Sequence, residues 1–399
     1  MSLQLPFSGL RVLDISQGIA GPYCTQILWQ QGASVIKVEP PEGDWGRNVG
    51  VVRNGHSALS ISYNAGKQGL CLDARTEAGK QLLRRLALQA DVVVQNFRPG
   101  VAERLGVGYA ALAQLKPDLI YVSISGYGAD GPYAQAPASD SVMQADTGLM
   151  FANQDADRTP RRIGLLLADI STALYAAQQV AAALYQRLAC GRGVHLELSL
   201  FEACAALQIN DIAAFTLANG RPAGAVSAPN GVFDTANGKL SVLALNDDQF
   251  ARLCRALERS DWLTDARFQS NEKRMAERDF LHEEIARQLV QAPSEVWEAR
   301  LQQHDVLHAR VRDYASVAAH PQTAHLGMLQ DVDQPGLGTL QLPGLPGAHG
   351  RRPMQAAPGI GQHSTEVLLA AGLDDAEIAV LMDAGVVRQA VNAASEVLT

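Results

Sequence analysis

The sequence predicts an α/β fold, with a large domain built on a parallel sheet covered on both faces and a smaller α+β domain after it. Three observations predict it. Strand-like and helix-like runs alternate through the first half of the chain. The strand-like runs are near-continuously apolar, the mark of strands buried on both faces. The texture then changes near Gly220, where GRPAGAVSAPNG is rich in Gly, Pro and Ala and reads as a connection. A chain of 399 residues has room for two such domains.

The elements follow in order. Arg11–Ser16 (RVLDIS) reads as the first strand. Gly21-Pro22 opens a helix to about Gln31, with Pro22 suited to a first turn, where its missing N–H costs nothing. Ser34–Glu39 (SVIKVE) and Gly69–Asp73 (GLCLD) are strands. Thr76 stands as N-cap of a helix in which Leu82, Leu83 and Leu86 share a face. Asp91–Phe97 (DVVVQNF) and Leu119–Ser125 (LIYVSIS) add two strands, so residues 1 to about 205 read as a Rossmann-like domain. A long helix is expected from about Ile170 to Cys190, stopped by Gly191. Val194–Leu200 alternates as a strand, and one helix is expected from Phe201 to about Asn219. Beyond the connection, Val232–Thr235 and Lys239–Leu245 flank Ala236-Asn237-Gly238, a hairpin signal. Helical, charge-rich segments continue to about His304, and a Pro/Gly-rich stretch runs from about Pro335 to Pro358. Helical segments at Ser364–Gly372 and Asp375–Ala384 close the chain. The expected division is a large domain at 1–205, a linker at 206–228, a small domain at 229–330, and a linker with a closing segment at 331–399.

Composition excludes several classes. A formal charge of −8 argues against nucleic acid or an anionic membrane as partner. Charged residues make up 19%, below the usual value of about a quarter, so part of the surface is expected to be covered in an oligomer. The five cysteines are odd in number, scattered and without a C-x-x-C, which disfavours a disulfide framework or thiolate zinc site and suits a reducing compartment. The opening MSLQLPFSGLRVLDIS lacks a basic segment followed by an apolar one, and no apolar run is long enough to span a bilayer. A cytoplasmic protein is expected.

Four motif-like stretches carry little. Gly66-Lys67 lacks the earlier glycine and the hydroxyl of a phosphate loop. Gly106-x-Gly108-x-x-Ala111 does not directly follow a strand and reads as a turn before a short helix. His304-Asp305-x-x-His308 has the spacing that puts two imidazoles on one helix face, but a zinc protease needs Glu at position 305 and a third ligand. Ser123-Ile124-Ser125-Gly126 nearly forms a nucleophile elbow but lacks the first glycine. No metal site is expected. Asp169 is more informative. It ends the apolar run Ile163–Ala168 at a helix start, where it can act as an N-cap. A carboxylate there is expected to remain ionised, as a nucleophile must. Arg98 and Arg104 follow DVVVQNF, at the sheet edge where ligands of open α/β folds collect. They can hold phosphates or simply be solvated.

The ordered set of segments resembles the class III CoA-transferases, the family of formyl-CoA transferase and carnitine CoA-transferase. The matching pieces are Val12-Leu13-Asp14, Ala20-Gly21-Pro22, Val35-Ile36-Lys37-Val38-Glu39-Pro40-Pro41, Leu72-Asp73, and Asn96-Phe97-Arg98-Pro99-Gly100 with Arg104-Leu105-Gly106. They continue with Ser125-Gly126-Tyr127-Gly128, Asp130-Gly131-Pro132-Tyr133, Asp169, Gly191-Arg192-Gly193 and Leu198-Ser199-Leu200-Phe201-Glu202. Ala228-Pro229, Asn246-Asp247 and Gly361-Gln362-His363-Ser364 lie beyond, so the resemblance covers nearly the whole chain.

The resemblance implies a closing segment that returns to the large domain and an interlocked homodimer whose subunits thread through each other. It implies transfer of CoA from an acyl-CoA to a small carboxylic acid, through an aspartyl anhydride and an aspartyl-CoA thioester on Asp169. Asp140 matches an acidic residue near the nucleophile. Gly18, Leu72, Arg75, Asn96, Phe97, Arg98 and Arg104 match the CoA-contacting positions. CoA is a substrate there, and no permanently bound cofactor is implied. There are departures. Ile19 stands where formyl-CoA transferase has a glutamine, and Asn246-Asp247-Asp248-Gln249 where it has a glycine-rich loop. Both point away from oxalate and formate. Ser139 replaces the usual aromatic residue before position 140, and also the histidine that an α-methylacyl-CoA racemase, the alternative reaction class, would need there. A catalytically inactive CoA-binding protein is disfavoured by the retained Asp169.

Overall fold

The computed structural model describes residues 5–154, 157–221, 225–347 and 351–390. It contains two compact units, one spanning Met1–Ile212 and His325–Thr399, the other Ala213–Ala324.

Six parallel strands centre the first unit: β1 (Arg11–Asp14), β2 (Ser34–Glu39), β3 (Gln68–Leu72), β4 (Val92–Gln95), β5 (Ile120–Ser125) and β6 (Val194–Ser199). They lie in the order β3-β2-β1-β4-β5-β6, and the short strand Val387–Arg388 pairs antiparallel with β3 at the edge. Val12 of β1 sits opposite Val35 on one side and Val92 on the other. Within β4, Val92 and Val94 enter one hydrophobic core with Leu28, Ala176 and Val180, while Val93 enters another with Leu70, Leu83 and Leu368. Burial on both faces is why β4 is a continuous apolar run, whereas the half-exposed edge strand β6 keeps its polar alternation. The connections run one way from β1 to β3 and the other way from β4 to β6. The order therefore reverses between β1 and β4, and a crevice opens at their carboxyl ends.

Helices cover the faces. They include α1 (Ala20–Gln30), α2 (Glu77–Gln89), α3 (Asp140–Asp146) and α4 (Leu167–Cys190). Thr76 caps α2 as expected, its hydroxyl accepting the Gly79 N–H at 3.0 Å. The left-handed Gly191 (φ +67°) ends α4, its N–H donating to the Arg187 carbonyl at 2.8 Å. One expectation needs correcting. The single helix predicted over Phe201–Asn219 is two, α5 (Leu200–Ala206) and α6 (Ile209–Leu217), bent by 65°. The break falls at buried Gln208, whose amide donates to the carbonyls of Thr147 (3.1 Å) and Cys204 (3.2 Å). Among the described residues no single helix is long and apolar enough to cross a membrane; the bent pair meets that test only by length and composition.

The second unit carries the antiparallel strands Asn230–Asp234, Lys239–Leu243 and Leu307–Arg310, with Phe233, Val242, Phe250, Trp262 and Leu281 in its core. The Asn-Gly hairpin forms, closed by the Thr235 N–H donating to the Gly238 carbonyl at 2.9 Å. The spacing of His304 and His308 misleads. The helix Ser294–Gln303 ends before His304, and His308 lies in a strand, so the imidazoles share no helix face. Gly106 (φ +75°) turns the chain ahead of the helix Tyr109–Leu115. The stretch predicted as a connection at Pro335–Pro358 includes part of a hairpin, Leu329–Gln334 with Gly338–Pro343. Residues 348–350 of that stretch, and 222–224 of the earlier one, lie outside the described residues. All five cysteines are free.

Candidate active site

Two loops leave the sheet where its order reverses. One runs from β1 through Ile15–Ile19 into α1, the other from β4 through Asn96–Gly100. The Asn96 side chain ties them together, accepting the Gln17 N–H at 2.8 Å and donating to the Gln17 carbonyl at 2.7 Å. Phe97 is set by its N–H donating to Gln95 Oε1 at 2.8 Å. Gly18 has φ +77°, a conformation glycine adopts without steric cost, and its N–H donates to the buried Asp44 carboxylate at 2.9 Å.

A cleft of about 550 Å³ beside these loops is lined by Asn96, Phe97, Arg98, Asp140 and Asp169, together with Ile19, Trp45 and Ser139. Five of the nine expected site residues thus share one cavity. Arg98 and Phe97 also line a neighbouring cavity of about 490 Å³. Leu72 and Arg75 line a smaller one of about 140 Å³ that meets the others at Phe97. Leu72 is a buried core residue of β3, so its contribution there is a wall. Gly18 adjoins the main cleft underneath Trp45. Arg104 lines none of these cavities; its guanidinium reaches back over Gly100, 3.3 Å from where a Cβ there would stand.

The arginines differ in charge balance. Arg75 is held by Asp73 (2.8 Å) with Glu42 nearby (3.7 Å). Arg98 and Arg104 have no carboxylate partner among the described residues, which leaves them able to meet an anion.

Asp169 lies in the first turn of α4 and is not its cap; Leu166 occupies that position without a side-chain bond. The capping work falls to Asp140, which accepts the Ala168 N–H at 2.8 Å and the Gln144 amide at 2.7 Å. Asp140 is buried, with Arg162 3.8 Å away. Asp169 accepts no hydrogen bond from the described residues. Burial, and secondarily the Asp140 charge, push its pKa up to about 7. This corrects the expectation that a helix start keeps it ionised: near neutral pH it divides between acid and carboxylate. The helix dipole acts on a group that lacks the hydrogen bonds which would otherwise stabilise its charge.

Sequence reasoning missed three features. Gln144, fully buried, donates to the Leu165 carbonyl (2.9 Å) and accepts the Ile163 N–H (2.9 Å), fixing the segment that leads to Asp169. Tyr63 stands near Asp169, packed against Tyr23 at 5.1 Å between ring centroids. Its phenol is pushed up to about 12 by burial, then by Tyr23 and Asp169. Beneath the β1 loop lies a buried charge network. Lys67 contacts Asp14 at 2.9 Å, Lys37 contacts Asp44 at 3.0 Å, and Arg47 contacts Glu39 at 2.6 Å. Lys37 also donates to the Ser16 carbonyl. No cluster of three or more His, Cys, Asp or Glu suited to a metal occurs among the described residues.

Residues 7–364 match the family model described as CoA-transferase family III. The chain is 34% identical to the acetyl-CoA:oxalate CoA-transferase of Acetobacter aceti over 331 residues, 81% of this chain and 85% of that one. It is 30% identical to the human succinyl-CoA:glutarate CoA-transferase over 396 residues, 96% of this chain and 90% of the relative. Among solved structures, a CAIB/BAIF family protein from Brucella suis superposes with a TM-score of 0.84 at 31% identity, covering 92% of this chain and all of that one.

Proposed function

The chain belongs to CoA-transferase family III and is an acyl-CoA:carboxylate CoA-transferase, and from that premise we propose that Asp169 carries the transfer as a covalent nucleophile. The observation that supports this reading most is a partly buried carboxylate that accepts no hydrogen bond from the described residues and lines the same cleft as Arg98. The Asp169 carboxylate oxygen attacks the thioester carbonyl; the C–S bond breaks and CoA leaves as thiolate with the bonding pair, giving a mixed anhydride. The thiolate attacks the aspartyl carbonyl, expelling the donor carboxylate and leaving an aspartyl-CoA thioester. The acceptor carboxylate attacks that thioester and releases thiolate. The thiolate then takes the acyl group from the new anhydride, returning Asp169 as carboxylate. No net proton is moved, and no resident metal or cofactor enters any step. Splitting one exchange into four lowers each barrier. A small carboxylic acid is the acceptor class, and the five free cysteines suit a reducing cytoplasmic setting. The racemase alternative gains nothing from position 139, where the Ser139 hydroxyl accepts the Val142 N–H at the start of α3. Incubation of an acyl-CoA with labelled carboxylates tests the reading: label should enter the CoA ester pool, whereas epimerisation without exchange would contradict it.

Because only the carboxylate attacks, kcat/KM for acyl-CoA should rise with pH through an inflection near 7. Asp140→Asn keeps an acceptor for Ala168 but removes a like charge, so the inflection should move to lower pH. It should stay above the ordinary carboxylate value because burial is the larger cause. An unchanged profile in the variant would show that Asp140 does not act on Asp169.

Arg98 and Arg104 are proposed to hold the CoA phosphates. Replacing either by Ala should weaken acyl-CoA binding by about 1.5–3 kcal/mol, the range for a hydrogen bond to a charged group. Isothermal titration with acyl-CoA checks it, and Arg75→Ala, already neutralised by Asp73, should cost less.

The protein is further proposed to be an interlocked homodimer, in keeping with its low charge density and with large apolar side chains exposed on α4 and α6, such as Leu188 and Leu217. Dilution to nanomolar concentration in mass photometry should then yield no monomer, since separation requires a subunit to open. Rapid exchange between tagged and untagged dimers would contradict threading.

A further inference from the structure

The turn Trp45–Asn48 beside the cleft is anchored at Gly46 and Arg47 and by the preceding Asp44, not through its tryptophan. Asp44, which precedes it, pairs with buried Lys37 at 3.0 Å. One Asp44 oxygen accepts both the Gly46 N–H (2.8 Å) and the Gly18 N–H (2.9 Å), so a single carboxylate fastens the turn to the β1 loop. Ser57 donates to the Gly46 carbonyl at 2.5 Å, and Arg47 is locked to Glu39 at 2.6 Å. Trp45 takes no part in these bonds. Half of its surface is exposed, and it lines the cleft that contains Asp169. Its ring lies directly on the Gly18 backbone: a Cβ on Gly18 would stand 2.1 Å from the indole, closer than real contacts allow. The fold thus rigidly presents one large apolar surface to the cleft, and a glycine is what lets that surface lie flat.

Resting on the transfer reading above, we propose that Trp45, held in place by Gly18, is the acyl-size discriminator of this enzyme and that its indole restricts the cleft to short-chain acyl groups. The acyl group emerges from the carbon that Asp169 attacks, into a cleft whose other apolar lining includes Ile19, Val49 and Leu59. The CoA phosphates need cations, which the turn does not offer to the cleft, since Arg47 is buried against Glu39. An apolar substrate group is therefore the natural occupant of the indole's free face. One methylene in an apolar pocket shifts discrimination by about tenfold or more, so a removable indole leaves a readable signature.

The test measures kcat/KM for acetyl-, butyryl-, hexanoyl- and octanoyl-CoA with one fixed acceptor. In the unmodified protein kcat/KM should fall with chain length. In Trp45→Ala the hexanoyl-to-acetyl ratio should rise by about tenfold or more, and Trp45→Phe should shift it less, in the same direction. Gly18→Ala should also change the ratio when Trp45 is present, because the new methyl displaces the indole. Added to Trp45→Ala, it should change the ratio no further. A ratio in Trp45→Ala within twofold of the unmodified protein, with circular dichroism showing an intact fold, would overturn the proposal. So would a uniform rise in KM for all four esters, which would set the indole against the pantetheine. Equal kcat/KM for all four esters in the unmodified protein would overturn the proposal as well, whereas absence of Asp169 modification during turnover would overturn the transfer reading on which it rests.

Discussion

Asp169→Ala should lose CoA transfer by at least about 10⁴-fold, on the scale seen when a covalent nucleophile is removed. Acyl-CoA affinity should remain close to that of the unmodified protein. The side chain makes no hydrogen bond to the described residues, so its removal breaks no part of the scaffold; Asp140 and Gln144 continue to hold the start of α4. Calorimetric binding with steady-state rates separates the two readouts, and full activity in the variant would remove Asp169 from the chemistry. The conservative Asp169→Asn offers a second check through stability. The folded pKa, about 7, stands above the ordinary 3.8. The protonated group therefore favours the folded state, and this contribution is lost as pH rises through 7. Asp169→Asn should accordingly melt at a higher temperature than the unmodified protein at pH 8, and the difference should shrink as pH falls toward 4.

Asp14→Ala should destabilise the protein by about 3–5 kcal/mol, the cost of leaving buried charge without its partner. Asp14 ends β1 with no exposed surface. Its carboxylate meets Lys67 at 2.9 Å, Thr25 at 2.6 Å and Ser16 at 2.5 Å, with Lys37 at 4.0 Å. Burial alone would raise its pKa; the two ammonium groups and two hydroxyls reverse that and hold it far below the usual range. Lys67, lowered to about 8 by burial despite Asp14, would lose its main reason to stay charged. Chemical denaturation at pH 7 reads the loss. Replacing Asp14 and Lys67 together by apolar residues of similar size should recover much of it, because a buried ion pair is often matched by well-packed apolar side chains. If Asp14→Ala alone costs less than about 1 kcal/mol, the network does not hold the loop in the manner described.

The legibility of this molecule follows from how local each signal is. The six strands are legible because their signal is local: the inner ones write apolar runs into contiguous sequence, and the edge strand β6 alternates; the bounds of Ser34–Glu39 agree to the residue. Yet that same segment, SVIKVE, contains Lys37, which the structure buries completely. A lysine between Ile36 and Val38 resembles a solvated edge, and its partners, Asp14 on the neighbouring strand and Asp44 before the turn Trp45–Asn48, are set by the fold, which no local pattern encodes. Lys67 is similar, meeting Asp14 across 53 positions of sequence. The broken helix at Gln208 could not be seen because the amide that breaks it answers to Thr147, in another element. Within the site, Asp169, Asp140, Asn96, Phe97 and Arg98 were identified by resemblance to a family pattern. The ionisation of Asp169 departs from the expectation because dipole reasoning counts the helix but not the burial of the group or the nearby Asp140 charge. Tyr63 and Trp45 carried no motif at all; only their positions in space connect them to the cleft.

The central claim is that a covalent bond forms between Asp169 and the substrate. Mixing the enzyme with acyl-CoA in the presence of hydroxylamine, then mapping its peptides by mass spectrometry, tests this most directly. The account predicts a hydroxamate on Asp169 that requires acyl-CoA and is absent from Asp169→Asn. Continued turnover with no modification of Asp169, or modification of a different residue in step with inactivation, would contradict it.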